Sequence, residues 1–112
     1  MNISDLKGRL GLEELQGAYE DRPLTGGYSS DLLSDVMAKA EKDQALITIQ
    51  AHKNTVAVAT LVGLAAVIVC NARPVPQDMI DAARDEGVAV FRTGMTQFQA
   101  AGLLYAALGS GA

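Results

Sequence analysis

Residues 54–72 form an unbroken uncharged run of nineteen in a chain of 112. That length is close to what a helix needs to cross a bilayer, so the run is either a membrane span or the interior of a folded domain. Its composition favours the interior. Asn54, Gly63 and Asn71 interrupt it, and its character changes midway from Ala, Val and Leu helix formers to the β-branched Val67-Ile68-Val69. We read a buried helix followed by a buried strand, and expect no membrane span. Two successive elements without a polar face need cover on both sides, which helices layered on a parallel sheet supply.

The rest of the chain fits that alternation. Spacing predicts a short opening helix capped by Ser4, with Leu6 and Leu10 on one side and Gly11 as its stop, then a strand over 12–16. Residues 19–29 are polar, with Pro23 and the pair Gly26-Gly27, and read as a loop with a short extended piece around Leu24. Over 30–40, Leu32, Leu33, Val36, Met37 and Ala40 recur at helical spacing, with Asp31, Asp35 and Lys39 opposite. A strand over 46–50 precedes a helix capped by Asn54, and a strand over 66–69 precedes a helix over 76–86 with Met79, Ile80 and Ala83 inward and Gly87 as its stop. After a strand over 88–91, Thr96 and Gln99 make a capping box for a last helix. Its inward positions read as Phe98, Ala101, Tyr105 and Leu108, with Gly109 past its end. The expected fold class is α/β, a mostly parallel sheet with helices on both faces, formed by a single domain over 1–112.

Nine Lys and Arg stand against thirteen Asp and Glu, a net charge of -4, so nothing sequence-wide draws the chain to nucleic acid or to anionic membranes. Cys70 is the only cysteine, which excludes an intrachain disulfide and a structural zinc cluster. No metal and no cofactor are expected. The first residues carry no basic segment leading into an apolar one, and a reducing, cytoplasmic setting is the expectation.

Parallel strands deliver their carboxyl ends, and the amino ends of the following helices, to one edge of the sheet. That edge is polar here: Gln50, His52, Lys53 and Asn54 after one strand, Asn71 and Arg73 after the next, Arg92, Thr93 and Thr96 after the last. Donors beside helix N-termini suit an anionic or nucleotide-like ligand, and Gln50, His52, Asn54 and Arg73 are its candidate contacts. Gly26 and Gly27 could bring backbone N–H groups to a phosphate, although no Walker or dinucleotide spacing surrounds them and a tight turn is the better explanation of the pair. A Cys70-His52 pair and a proton or metal shared between Asp31 and Asp35 are the arithmetic alternatives for catalysis. A buried, inert thiol and a solvated helix face are the plainer readings of the same residues.

The run Thr25-Gly26-Gly27-Tyr28-Ser29-Ser30-Asp31-Leu32-Leu33-Ser34-Asp35-Val36-Met37, followed by Ile47-Thr48-Ile49-Gln50-Ala51-His52-Lys53-Asn54 and Val56-Ala57-Val58-Ala59, resembles the DRTGG-domain family over nearly the whole chain. Asp21-Arg22 and Thr25-Gly26-Gly27 are similar to the residues that name the family, with Pro23-Leu24 inserted between them. Such domains are similar to the N-terminal domain of HPr kinase/phosphorylase. They occur inside phosphate acetyltransferases and CBS-containing pyrophosphatases as regulatory or dimer-forming modules without catalytic residues, and as stand-alone members beside hydrogenase and signalling genes. The resemblance implies regulation through a partner enzyme or signalling protein.

Residues and resemblance together point to a non-enzymatic regulatory or interaction module that dimerises and senses a small anionic or nucleotide-like metabolite. The alternative is a small enzyme or phosphotransfer partner using His52 or the Asp31/Asp35 pair. The homodimer is expected because Val56, Val58, Ala59, Leu61, Val62 and Leu64 leave the helix over 55–64 without a polar face.

Overall fold

The computed structural model describes residues 1–110. Three strands whose residues are almost all buried form the middle of the sheet: β3 (Gln44–Thr48), β4 (Ala66–Val69) and β5 (Ala89–Arg92). They pair in parallel, and β2 (Gly26–Ser29) adds in parallel to β3. At the opposite edge β1 (Glu13–Gln16) pairs antiparallel with β5, giving the order β1-β5-β4-β3-β2.

Alternation along the strands sorts the core into two layers, because successive side chains point to opposite faces. Ala45, Ile47, Ala66, Ile68, Ala89 and Phe91 share one face. A 3-10 turn (Ile3–Asp5), α1 (Leu6–Leu10) and α5 (Gln97–Ser110) cover it through Ile3, Leu6, Leu10, Ala100 and Leu104. Leu46, Val67, Val69 and Val90 share the other, under α2 (Leu33–Lys39), α3 (Lys53–Val62) and α4 (Gln77–Glu86), which contribute Val36, Val56, Ala59, Met79 and Ala83. The uncharged run 54–72 thus divides into α3, a turn at Gly63 and the doubly covered β4, and no helix among the described residues is long and apolar enough to cross a membrane. Gly87 ends α4 with φ 69°, a conformation that an L side chain adopts only under strain.

Several local expectations are corrected. Gly26 and Gly27 form no tight turn: they open β2, and a Cβ built on Gly27 would sit 2.7 Å from Leu104 Cδ2, so a side chain there would make the Leu104 side chain shift. Ser4 does not cap the opening helix; its N–H and hydroxyl both donate to the Asp21 carboxylate, at 3.0 and 2.7 Å. Those bonds hold the Asp21 carboxyl below the usual carboxylate range, Ser4 being the main cause. His52, not Asn54, caps α3, its Nδ1 accepting the Asn54 N–H at 3.0 Å. In α2 only Val36 is buried, while Leu32 and Met37 are exposed.

The last helix is the largest correction. The capping box forms, with Thr96 N–H donating to Gln99 Oε1 at 3.0 Å and Gln99 N–H donating to Thr96 Oγ1 at 3.2 Å. The buried row, however, is Ala100, Leu104 and Ala107, and Phe98 and Tyr105 stand 87% and 84% exposed. Gly109 lies inside the helix rather than beyond it.

Candidate functional site

The carboxyl ends of β2, β3, β4 and β5 lie along one edge, and one carboxylate organises it. Asp31, in the turn after β2, accepts three hydrogen bonds on a single oxygen: from Thr48 Oγ1 at 2.9 Å, from the Ile49 N–H at 2.9 Å and from Gln97 Nε2 at 3.1 Å. It therefore ties the end of β2 to the end of β3 and to the first residue of α5. Gln50 closes the same loop, its Nε2 donating to the Asp31 carbonyl at 2.9 Å, while Thr55 Oγ1 donates to the Gln50 carbonyl at 2.8 Å. Sequence reasoning placed Asp31 on a solvated helix face and missed this role. Its position just ahead of α2, at the end of an extended segment, was the available signal.

Asp31 and Asp35 have separate hydrogen-bond partners. Asp35 accepts the Tyr28 hydroxyl at 2.7 Å, and that bond is the main reason the phenol is held above its ordinary value. No group of three or more His, Cys, Asp or Glu residues that could hold a metal occurs among the described residues. Cys70, fully buried at the end of β4, has its thiol pushed up to about 11, first by burial and then by the Asp31 charge. It is protonated at neutral pH and a poor nucleophile. The His52 ring serves as the α3 cap, its Nδ1 taken up by the Asn54 N–H.

Beyond β4 the chain turns through two non-glycine residues in the left-handed region, Asn71 (φ 60°) and Ala72 (φ 50°). They are held because the Asn71 N–H donates to the Met95 carbonyl at 2.9 Å and the Ala72 N–H to the Thr93 carbonyl at 2.8 Å. This turn delivers Arg73, an exposed side chain without a hydrogen bond or ion pair among the described residues, to the same edge. An alanine in that conformation costs roughly 1 kcal/mol, so Ala72→Gly is expected to stabilise the fold by up to about that amount in urea unfolding. A destabilised variant would show that the methyl group packs usefully.

Of the sequence-based candidates, Gln50, His52, Asn54 and Arg73 lie on the loops and helix start of this edge. Gly26 and Gly27 do not. They pair with Gln44 and Ala45 at the amino end of β3, about 10 Å away along the strands. They line instead a groove of about 570 Å³ between β2 and α5, whose other walls include Thr25, Ser29, Ala101, Leu104, Tyr105 and Leu108. The neighbouring Asp21-Arg22 segment is structural: Arg22 Nε donates to Asp43 Oδ1 at 2.6 Å, and Thr25 Oγ1 to the Lys42 carbonyl at 2.9 Å.

No protein-family model matches the sequence, and no curated protein matches it. Among solved structures, the chain is similar to the crystal structure of the CBS and DRTGG domains of the regulatory region of Clostridium perfringens pyrophosphatase, complexed with the activator diadenosine tetraphosphate. The match has a TM-score of 0.72 at 12% sequence identity and covers 91% of this chain. It covers 45% of the clostridial chain, so this protein spans less than half of that structure. The fold is DRTGG-like, and the sequence-based assignment to an α/β sheet with helices on both faces holds.

Proposed function

We propose that residues 1–112 form a single DRTGG-type module that is regulatory rather than enzymatic, works as a homodimer in the cytoplasm, and senses an anionic or nucleotide-like metabolite on behalf of a partner enzyme or signalling protein. The observation that carries this reading is the use made of the polar groups at the carboxyl edge. Asp31, Thr48 and Thr55 are engaged in holding loops together, whereas Lys53 and Asn54 are exposed in the first turn of α3 and Arg73 in the loop after β4. Such an edge offers positive charge and donors to an anion, and the helix adds roughly half a positive charge. A nucleophile next to a base is not part of it, which supports binding over turnover. The clostridial regulatory region was solved with diadenosine tetraphosphate, so a nucleotide polyphosphate is the first probe to try.

The test is a thermal-shift and calorimetric comparison of diadenosine tetraphosphate, ATP, AMP and inorganic phosphate. A ligand present at a hundred times its Kd adds about 2.7 kcal/mol to apparent stability, a shift of roughly 10 °C or more for a chain of this size. Arg73→Ala and Asn54→Ala are each expected to weaken binding at least tenfold. Affinity unchanged by both would move the site away from this edge. Hydrolysis of ATP, pyrophosphate or acetyl phosphate that His52→Ala abolishes would replace the regulatory reading with the enzymatic one.

A further inference from the structure

The two edges of the sheet are finished differently. On β1, Glu13 and Glu14 are exposed and Glu13 pairs with Arg92 at 2.9 Å, the charged finish that discourages a further strand from adding. On β2 the sequence is Gly26-Gly27-Tyr28-Ser29, uncharged and free of proline; among the described residues no strand lies beyond it, the bridge of Asn2 to Pro23 ending just short of Gly26. The helices nearest that edge carry most of the exposed large apolar side chains. In α5 these include Phe98 and Tyr105; on the other face they are Leu32 and Met37 around α2, which the Tyr28-Asp35 hydrogen bond ties to β2.

α5 has two apolar rows. Ala100, Leu104 and Ala107 meet the sheet, and Phe98, Ala101, Tyr105 and Leu108 form a second row roughly a third of a turn round. Ala101, Tyr105 and Leu108 of that row overlook the groove along β2. A strand added beside β2 would lie under them.

We propose that two copies of this chain pair β2 with β2, antiparallel, about a two-fold axis normal to the sheet, so that the two α5 helices lie side by side over the join. The proposal rests on the homodimer reading above and names its seam. Antiparallel addition about such an axis is isologous, and it brings the same helix of each copy to the same face, where one uncharged apolar row meets its equal. All fourteen residues of α5 are uncharged, so the contact buries no ion although each chain carries a net charge of -4. Phe98 and Tyr105 expose roughly 150 Å² each, so the aromatic rings of two copies supply about 600 Å², near half of what a stable dimer of about 1,200 Å² requires. The paired strands and the rest of the row supply the remainder. α3 is a poorer seam, since its outward face carries Lys53, Asn54 and Thr60 and only one large apolar side chain, Leu61.

The experiment is sedimentation velocity of the full chain from low micromolar concentration upward, with hydrogen exchange of the β2 amides. The wild type and Leu61→Lys are expected to be dimers. Tyr105→Lys and Gly26→Lys are expected to weaken association by about 100-fold or more with unchanged circular dichroism. Gly26 has room for a side chain, its nearest neighbour to an added Cβ being Gln44 Nε2 at 3.5 Å, and Tyr105 is exposed enough to change without unfolding the protomer. Protection of the β2 amides should rise with concentration in the wild type and stay flat in Tyr105→Lys. A wild-type dimer that Leu61→Lys dissociates and Tyr105→Lys does not, with β2 exchange independent of concentration, overturns this seam and leaves the homodimer standing. A wild type that stays monomeric throughout overturns both.

Discussion

Asp31→Ala is expected to destabilise the fold by about 3 kcal/mol, a loss of more than 10 °C in Tm for a chain of this length. The Thr48 hydroxyl, the Ile49 N–H and the Gln97 side-chain amide all converge on Asp31 Oδ1, so removing the carboxylate leaves three donors at the strand ends without their acceptor. The convergence also makes Asp31→Asn informative, because an asparagine keeps one oxygen where all three bonds end. It is expected to cost about 1 kcal/mol, the difference between charge-assisted and neutral bonds. Urea unfolding of the three proteins decides the matter. Equal losses for Asn and Ala would mean that the charge, rather than the acceptor position, holds the edge together. Since Gln97 is the first residue of α5, the alanine variant should also raise hydrogen exchange in the first turn of that helix.

What the sequence discloses about this fold follows from how strongly each segment is constrained. Val67-Ile68-Val69 and Val88-Ala89-Val90-Phe91 are covered on both faces, so their apolar runs can only be central strands, and both were legible. β2 was not. Its Gly-Gly-Tyr-Ser has low strand propensity and no period-two pattern, and it is a strand because it pairs with β3. Helix caps misread for a local reason: Asn54 is the better N-cap residue by type, yet the turn after β3 places His52 at the non-helical position and uses Asn54 as donor. The candidate site shows the same division. Strand order and the polarity of the loops bring Gln50, His52, Asn54 and Arg73 to one edge, which topology alone dictates. The role of Asp31 depends on hydrogen bonds to residues 17 and 66 positions away, and no spacing in the sequence records them.

Leu104→Ala is expected to cost about 3 kcal/mol, and Tyr105→Ala less than about 0.5 kcal/mol when the chain is dilute enough to be monomeric. These neighbours in sequence separate the two apolar rows of α5. Leu104 is 1% exposed, packs over Gly27 in the layer that contains Ile68 and Phe91, and its loss opens a cavity that the close approach of helix and strand cannot readily fill. Tyr105 offers a larger apolar surface but spends it on solvent in the protomer. Periodicity ranks the two the other way, because Phe98, Ala101, Tyr105 and Leu108 make the bulkier row and bulk is what a sequence displays. The sheet selects the row of smaller residues because Ala100 and Ala107 let the helix sit close on β2 and β3. Urea unfolding at low concentration should therefore find Leu104→Ala far less stable and Tyr105→Ala close to wild type. Repeating the measurement at a hundredfold higher concentration should stabilise the wild type by about 2.7 kcal/mol per dimer, one factor of a hundred in mass action, and should leave Tyr105→Ala behind. A Tyr105→Ala protein already as damaged as Leu104→Ala when dilute would return the second row to the protomer's own core and take the seam away from β2.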